Sequence, residues 1–227
     1  MTKRLWALLG LGVVLVGAVV WYRSTTRPDF MPAPPVVESV EPPHRRPEIP
    51  VSVQQLLAAA AFAQIGVTTR YDSAYIGLAY PGGDVPMDRG VCSDVVVRAF
   101  RQVGWDLQRC LHEDMTANFT MYPTRWGLKR PDANIDHRRV LNLMTWFDRQ
   151  SWSVPMTHRP EDYHSGDIVA WDLGRGLTHI GVVVPDARGR PCIAHNIGQG
   201  ARHEDVLYAW TQIGHYRIPS STVHKTL

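Results

Sequence analysis

The chain has 227 residues, with 24 Lys and Arg against 21 Asp and Glu, a formal net charge of +3 and a pI near 8.9. That length suits one full domain plus appendages, and the charge is too small and too scattered among aromatic residues to form a nucleic-acid-binding stripe. Three cysteines without a CxxC pair propose neither a disulfide framework nor a cysteine-rich zinc site.

Lys3 and Arg4 precede an uncharged, mostly apolar run from Leu5 to Tyr22, whose 18 residues sit at the lower limit for a membrane-spanning helix. Trp6 at one end, Trp21 and Tyr22 at the other, and Arg23 and Arg27 beyond them have the pattern of interfacial anchors. Val16-Gly17-Ala18 approximates a small-x-small cleavage site, but apolar residues continue past it. Residues 1–26 are therefore expected to be an uncleaved membrane anchor, with a cleaved signal segment as the alternative, and in both cases the remainder is exported.

Residues 27–50 hold eight of the seventeen prolines and no periodic apolar face, which predicts a linker. Polyproline II geometry, at about 3.1 Å per residue, would give it a reach of roughly 70 Å. The globular domain is expected over 51–219, followed by a short tail, 220–227. Ser52 and Gln55 have capping-box spacing, and the alanine-rich run behind them reads as a helix stopped by Gly66. From Tyr71 to Gly90 the chain is turn-rich around "YPGGDVP".

In "DRGVCSDVVVRAF", residues 88–100, Val96, Ala99, Phe100 and then Val103 recur at helical spacing, Arg98 and Arg101 are expected to point away, and Gly104 closes the C-terminus. Ser93 and Asp94 suit a first turn, so Cys92 falls at or just before a helix N-terminus. Unpaired amides and the helix dipole stabilise a thiolate there, lowering a thiol pKa of roughly 8.5, and the same amides suit an oxyanion. A small apolar residue at the edge of a core is the competing reading of Cys92.

After Gly104 the chain turns polar. Asp136 is expected to cap a helix in which Val140, Leu143, Met144 and Phe147 share a face. His112, Glu113 and Asp114 have metal-ligating side chains, but adjacent residues diverge and no HExxH-type partner exists, so a surface or turn role is expected. Arg125, Lys129, Arg130, Arg138 and Arg139 could line a groove for substrate carboxylates, or form a solvated face. Cys110 and Cys192 read as small core residues, with pairing as the alternative.

The last third differs. "GDIVAWDL", "HIGVVV", "PCIAHNIG" and "IGHYRIP" are short runs rich in β-branched and aromatic residues, which predicts an antiparallel meander and, with the helical first half, an α+β fold. If the turn after the second strand has an odd number of residues, His179 and His195 fall on one face and Asn196 on the other. A base on one strand with a polar orienter on its neighbour can hold an imidazole in one tautomer.

Taken in order, "YPGG", "CSD" opening a helix, "GDIVAW", "HIGVVV" and "IAHNIG" resemble the NlpC-type cell-wall peptidases, a bacterial branch of the papain-like fold. "YPGGDVP", "GVC", "HEDM", "NIDHRRV" and "HNIG", between about Tyr71 and Tyr216, resemble more closely the YijF-like family of bacterial domains. Val91 and Asp94 stand where the peptidase pattern usually has aspartate and glycine.

The resemblance implies a papain-like NlpC-type α+β fold with Cys92 as nucleophile, His179 as base and His195 as orienting residue. Tyr80, Ser93 and Asp94 are placed on the substrate side. It further implies hydrolysis of an amide in the bacterial cell envelope, with peptidoglycan or an envelope peptide as partner, no cofactor and no metal, in a periplasmic domain anchored to or released from the inner membrane. Three alternatives stay open: a non-catalytic peptide or glycan binding module of the same fold, an acyltransferase, and a metal hydrolase using histidines such as His112, His179 and His195.

Overall fold

The computed structural model describes residues 52–219, all within one compact unit, Ile49–Leu227. The expected anchor, linker and tail lie outside the described residues. Among those described, no helix is long and apolar enough to cross a membrane.

Among the described residues, four α-helices precede the main sheet. In α1 (Val53–Phe62) the expected capping box forms: the Gln55 amide donates to Ser52 Oγ at 3.2 Å, and the Ser52 amide to Gln55 Oε1 at 2.9 Å. Helix α2 (Cys92–Gln102) buries Val95, Val96, Ala99 and Phe100 and is closed by Gly104 at φ +87°, where a left-handed backbone favours glycine. Helix α3 (Leu107–Asn118) lies in the stretch that reads as polar. Its N-cap Asp106 accepts the Gln108 amide, and Leu107, Leu111 and Met115, four residues apart, are enough to seat it on the core.

Helix α4 (Val140–Arg149) buries Val140, Leu143 and Phe147 as expected. It is not capped by Asp136, which instead opens a separate 3-10 turn, Asp136–Arg138, and accepts the Asp132 amide at 2.5 Å and Arg139 Nη1 at 3.2 Å.

Arg98 does not point to solvent. It is buried, with Nε on Asp84 at 2.9 Å, Nη1 on Thr68 Oγ1 at 2.9 Å, and Nη2 on the carbonyls of Val85 at 3.1 Å and Arg89 at 3.0 Å. The turn-rich segment has few ladder partners of its own, and this one guanidinium satisfies three of its carbonyls, those of Val85, Pro86 and Arg89. Two short strands, β1 (Arg70–Tyr71) and β2 (Arg89–Gly90), pair in parallel on either side of that segment.

The main sheet is antiparallel, with order β6-β5-β4-β3-β7, formed by β3 (Ile168–Gly174), β4 (Leu177–Pro185), β5 (Pro191–Asn196), β6 (Ala201–Glu204) and β7 (Thr211–Tyr216). This corrects the simple meander in two respects. "ARHE" is a strand instead of part of a divider, and the last strand returns to pair with β3 on the opposite edge.

Both faces of the sheet are covered, which is why its strands read as continuous apolar runs. Ile168, Ala170, Ile180, Val182 and Ala194 pack with the helices, whereas Val169, Trp171, Val183 and Ile193 pack with Tyr163 and Leu207. All three cysteines are free thiols.

Candidate active site

The N-terminus of α2 is held from both ends. Inside the core, Phe100 stacks on Phe147 and Trp152 at ring separations of 5.7 and 6.1 Å. Upstream, Asn196 Nδ2 donates to the carbonyls of Gly90 at 2.9 Å and Arg70 at 3.3 Å, which ties the end of β5 to the β1–β2 pair. A Cβ at Gly90 would lie 2.9 Å from Asp94 Oδ2, so the close approach of this backbone to the carboxylate requires glycine.

Asp94 accepts the Val91 amide at 2.6 Å, the acidic half of a capping box whose other half is missing because valine has no acceptor. Arg138 grips the same carboxylate, Nε at 2.9 Å and Nη2 at 3.0 Å, while its remaining hydrogens reach the carbonyls of Ala74 and Asp72.

Cys92 is thereby fixed at the first position of the helix, 5% exposed. The expectation of a lowered thiol pKa is not met. Burial pushes the Cys92 thiol up to about 11, with a further push from Asp94, against the opposing pull of the Ile180, Ser93 and Cys92 backbone amides. Those amides favour the charged sulfur, and two of them belong to the unpaired first turn of α2, so donors suited to an oxyanion stand where the dipole argument expects them.

His179 immediately precedes Ile180, whose amide faces the sulfur. The five residues between β4 and β5 give the odd turn, and the pairing Val183↔Ile193 puts His179 and His195 on one face. Pairing between β4 and β5 ends at Val182 and Ala194, while β5 stays paired to β6 through His195↔Arg202 and Asn196↔Ala201. A Cβ at Gly181 would lie 2.5 Å from Ile193 Cγ2, so glycine lets the strands approach closely at this point. Asn196 faces the other side, as expected, and makes the Gly90 contact.

His179 Nε2 lies 2.8 Å from His195 Nδ1, and His195 Nε2 lies 2.9 Å from Glu204 Oε2. An ionised carboxylate can only accept, so His195 carries its proton on Nε2 and presents Nδ1 as an acceptor. His179 then donates from Nε2, which leaves Nδ1 as its basic nitrogen.

Both rings are buried, and burial lowers each pKa. His179 falls to about 3, with His195 adding to the effect, while Glu204 partly offsets the shift of His195. The resting site therefore holds a neutral thiol and neutral imidazoles. Trp171 and Trp210 pack on the His179 ring at 5.7 and 5.6 Å and complete its apolar housing.

The expected substrate-side residues are placed differently. Ser93 is fully buried and donates to the Arg138 carbonyl at 2.7 Å, and Asp94 is committed to Val91 and Arg138. Both hold the backbone around Cys92 instead of facing substrate. Tyr80 packs edge-on against His112 at 5.0 Å, away from the cavity beside Cys92.

Tyr71 lines that cavity instead, together with Arg125, Trp126 and Arg139, in a volume of about 320 Å³. Burial raises the pKa of its hydroxyl, and the neighbouring Cys92 sulfur raises it further. The pairing Tyr71↔Gly90 puts this tyrosine next to the loop that leads into Cys92. Among the described residues no three His, Cys, Asp or Glu side chains converge as metal ligands. His112 sits on α3, apart from the histidine pair.

The sequence profile described as "Domain of unknown function (DUF1287)" matches residues 58–218. The chain belongs to this DUF1287 family. It is 54% identical over 182 residues to "Uncharacterized protein YijF" of Escherichia coli (strain K12), across 76% of this chain and 89% of that protein. The YijF-like resemblance read from the motifs is thereby established. Among solved structures, this DUF1287 chain is similar to NlpC2 from Trichomonas vaginalis at 13% identity and a TM-score of 0.40, over 75% of this chain and 48%, about half, of that one.

Glu204 and Tyr71 were missing from the sequence reading. Glu204 is recognisable once β6 is seen as a strand, because Glu204 pairs with Ile193 and so lies diagonal to His195 on the same face. Tyr71 had no signal except its place in a turn-rich segment.

Proposed function

We propose that this protein is a cysteine amidase or peptidase of papain-like, NlpC-type architecture that cleaves an amide bond in the bacterial cell envelope, with peptidoglycan as the first substrate to test. The observation that carries the reading is the chain from Glu204 through His195 to His179, which ends one residue from the amide that faces a helix-N-terminal cysteine. A structural cysteine needs no such arrangement.

In this reading the Cys92 proton passes to His179 Nδ1 as the sulfur attacks the carbonyl. Proton transfer accompanies attack, because burial disfavours a resting thiolate. The His179 imidazolium is stabilised through His195 and the Glu204 carboxylate, and the amides at the head of α2 receive the oxyanion. The imidazolium protonates the leaving amine, and water then releases the acid from the acyl-enzyme.

Intact-mass measurement of acid-quenched protein during turnover tests the covalent step. The reading expects an acyl adduct that maps to Cys92 and is absent from Cys92→Ala. Turnover with no adduct in any variant, and unchanged in Cys92→Ala, would leave the reading without support.

A further inference from the structure

We infer, on the reading of Cys92 as nucleophile, that the adjoining cavity binds a carboxylate through Arg125 and Arg139, so that the substrate carries a free carboxylate next to the scissile amide. Among the residues lining the cavity are three arginines, Arg125, Arg138 and Arg139, and no Asp or Glu. Arg138 is fully committed to Asp94 and to two carbonyls.

The other two are disposed toward a ligand. The Arg139 guanidinium lies 4.3 Å over the centre of the Trp126 ring, with Nη1 on Asp136 at 3.2 Å and its side chain 16% exposed. Stacking on the indole holds the planar fork in place and so limits the rotamer entropy lost when it binds a carboxylate. Arg125 is exposed and donates to the Gly176 carbonyl, and it makes no ion pair with a carboxylate among the described residues.

Gly176 adopts φ +78°, the left-handed backbone that itself favours glycine in the turn between β3 and β4, and its carbonyl is the one that accepts from Arg125 Nη2. Arg125 and Trp126 come from the segment that follows α3, Arg139 from the head of α4, and Gly176 from the turn that leads into the His179 strand. Two guanidiniums from separate elements thus border one cavity beside the nucleophile; Arg139 is paired through Nη1 with Asp136, whereas Arg125 has no carboxylate partner among the described residues. A carboxylate is the planar anion that matches such forks.

Two alkylating reagents with the same leaving group test this, because iodoacetate carries a carboxylate where iodoacetamide carries a neutral amide. The rate of each at Cys92 is followed by peptide mapping at about pH 9, where more thiolate is available, and their ratio is compared with the ratio for free mercaptoethanol. The expected ratio for the wild type is about fivefold or more above that of mercaptoethanol. It falls toward the mercaptoethanol value in Arg125→Gln, in Arg139→Gln and at high salt, and is only partly retained in Arg125→Lys, which keeps the charge but loses the fork.

A wild-type ratio equal to that of mercaptoethanol, or one unchanged when both arginines are replaced, overturns the carboxylate site and leaves the nucleophile standing. If neither reagent labels Cys92 in the folded protein while both label it after unfolding, the nucleophile reading falls instead, and the inference with it. The iodoacetamide rate of each variant serves as its own control for folding.

Discussion

His195 holds the Glu204 carboxylate at 2.9 Å through Nε2, and that single contact fixes the direction of every proton between the solvent and His179. Glu204 is 38% exposed on its side chain whereas His195 is fully buried, so the chain starts at the protein surface and ends inside. Glu204→Leu removes the acceptor that decides between the two His195 tautomers and is expected to lower turnover by at least about tenfold. Glu204→Gln can still accept through its amide oxygen and should retain more activity. Initial rates and their pH profiles for both variants check this, and equal rates for Glu204→Leu and the wild type contradict the role.

Because burial pushes the Cys92 thiol up to about 11, its alkylation by iodoacetamide should rise close to tenfold per pH unit between about pH 7 and 10, following the thiolate fraction. Peptide-mapped rates across that range give the profile. A plateau already reached near neutral pH would mean a stabilised thiolate and would contradict the neutral resting pair.

Arg138 and Asp94 form a buried pair, with side chains 2% and 4% exposed. Arg138→Met leaves a buried carboxylate without its partner and should cost about 3–5 kcal/mol of stability, while the double change Arg138→Met with Asp94→Leu should recover part of that loss. Urea unfolding of both variants decides it. A loss below about 1 kcal/mol in the single variant contradicts the ion pair as the support of the Cys92 loop.

Burial, reinforced by Arg101 and Arg138, lowers the pKa of His137 to about 4, with Asp106 and Asp84 opposing the shift. The unfolded chain binds a proton near pH 6.5 that the folded chain refuses. The neutral folded form is therefore favoured above that pH, and stability is lost as pH falls from about 6.5 toward 4, at up to about 1.4 kcal/mol per unit. His137→Gln should flatten the slope of unfolding free energy against pH in that window, as measured by urea titrations at several pH values. An unchanged slope contradicts it.

The α+β class and the α2 boundaries were legible in the sequence from short-range periods, and the shared face of His179 and His195, with Asn196 opposite, followed from strand parity once the turn was taken as odd, which its five residues are. Helix α3 was not, since its buried apolar residues are only Leu107, Leu111 and Met115 in a polar context. Strand β6 was hidden because "ARHE" carries polar side chains on a sheet edge.

Arg98, Ser93 and Asp94 were misplaced for a common reason: their partners lie far along the chain or in irregular backbone, and a polar residue at a helix start looks the same whether it faces solvent or a buried arginine. The Cys92 thiol was misjudged in the direction of its shift. The helix dipole can be read from position, but the depth of burial that outweighs it depends on the packed fold.

The most direct measurement of the central claim is mass analysis of peptidoglycan fragments after incubation with the wild type and with Cys92→Ala. The account predicts that the wild type releases peptide fragments in which one amide has gained the elements of water, and that Cys92→Ala releases none. Fragment release by Cys92→Ala equal to that of the wild type, or no release by the wild type, would contradict it.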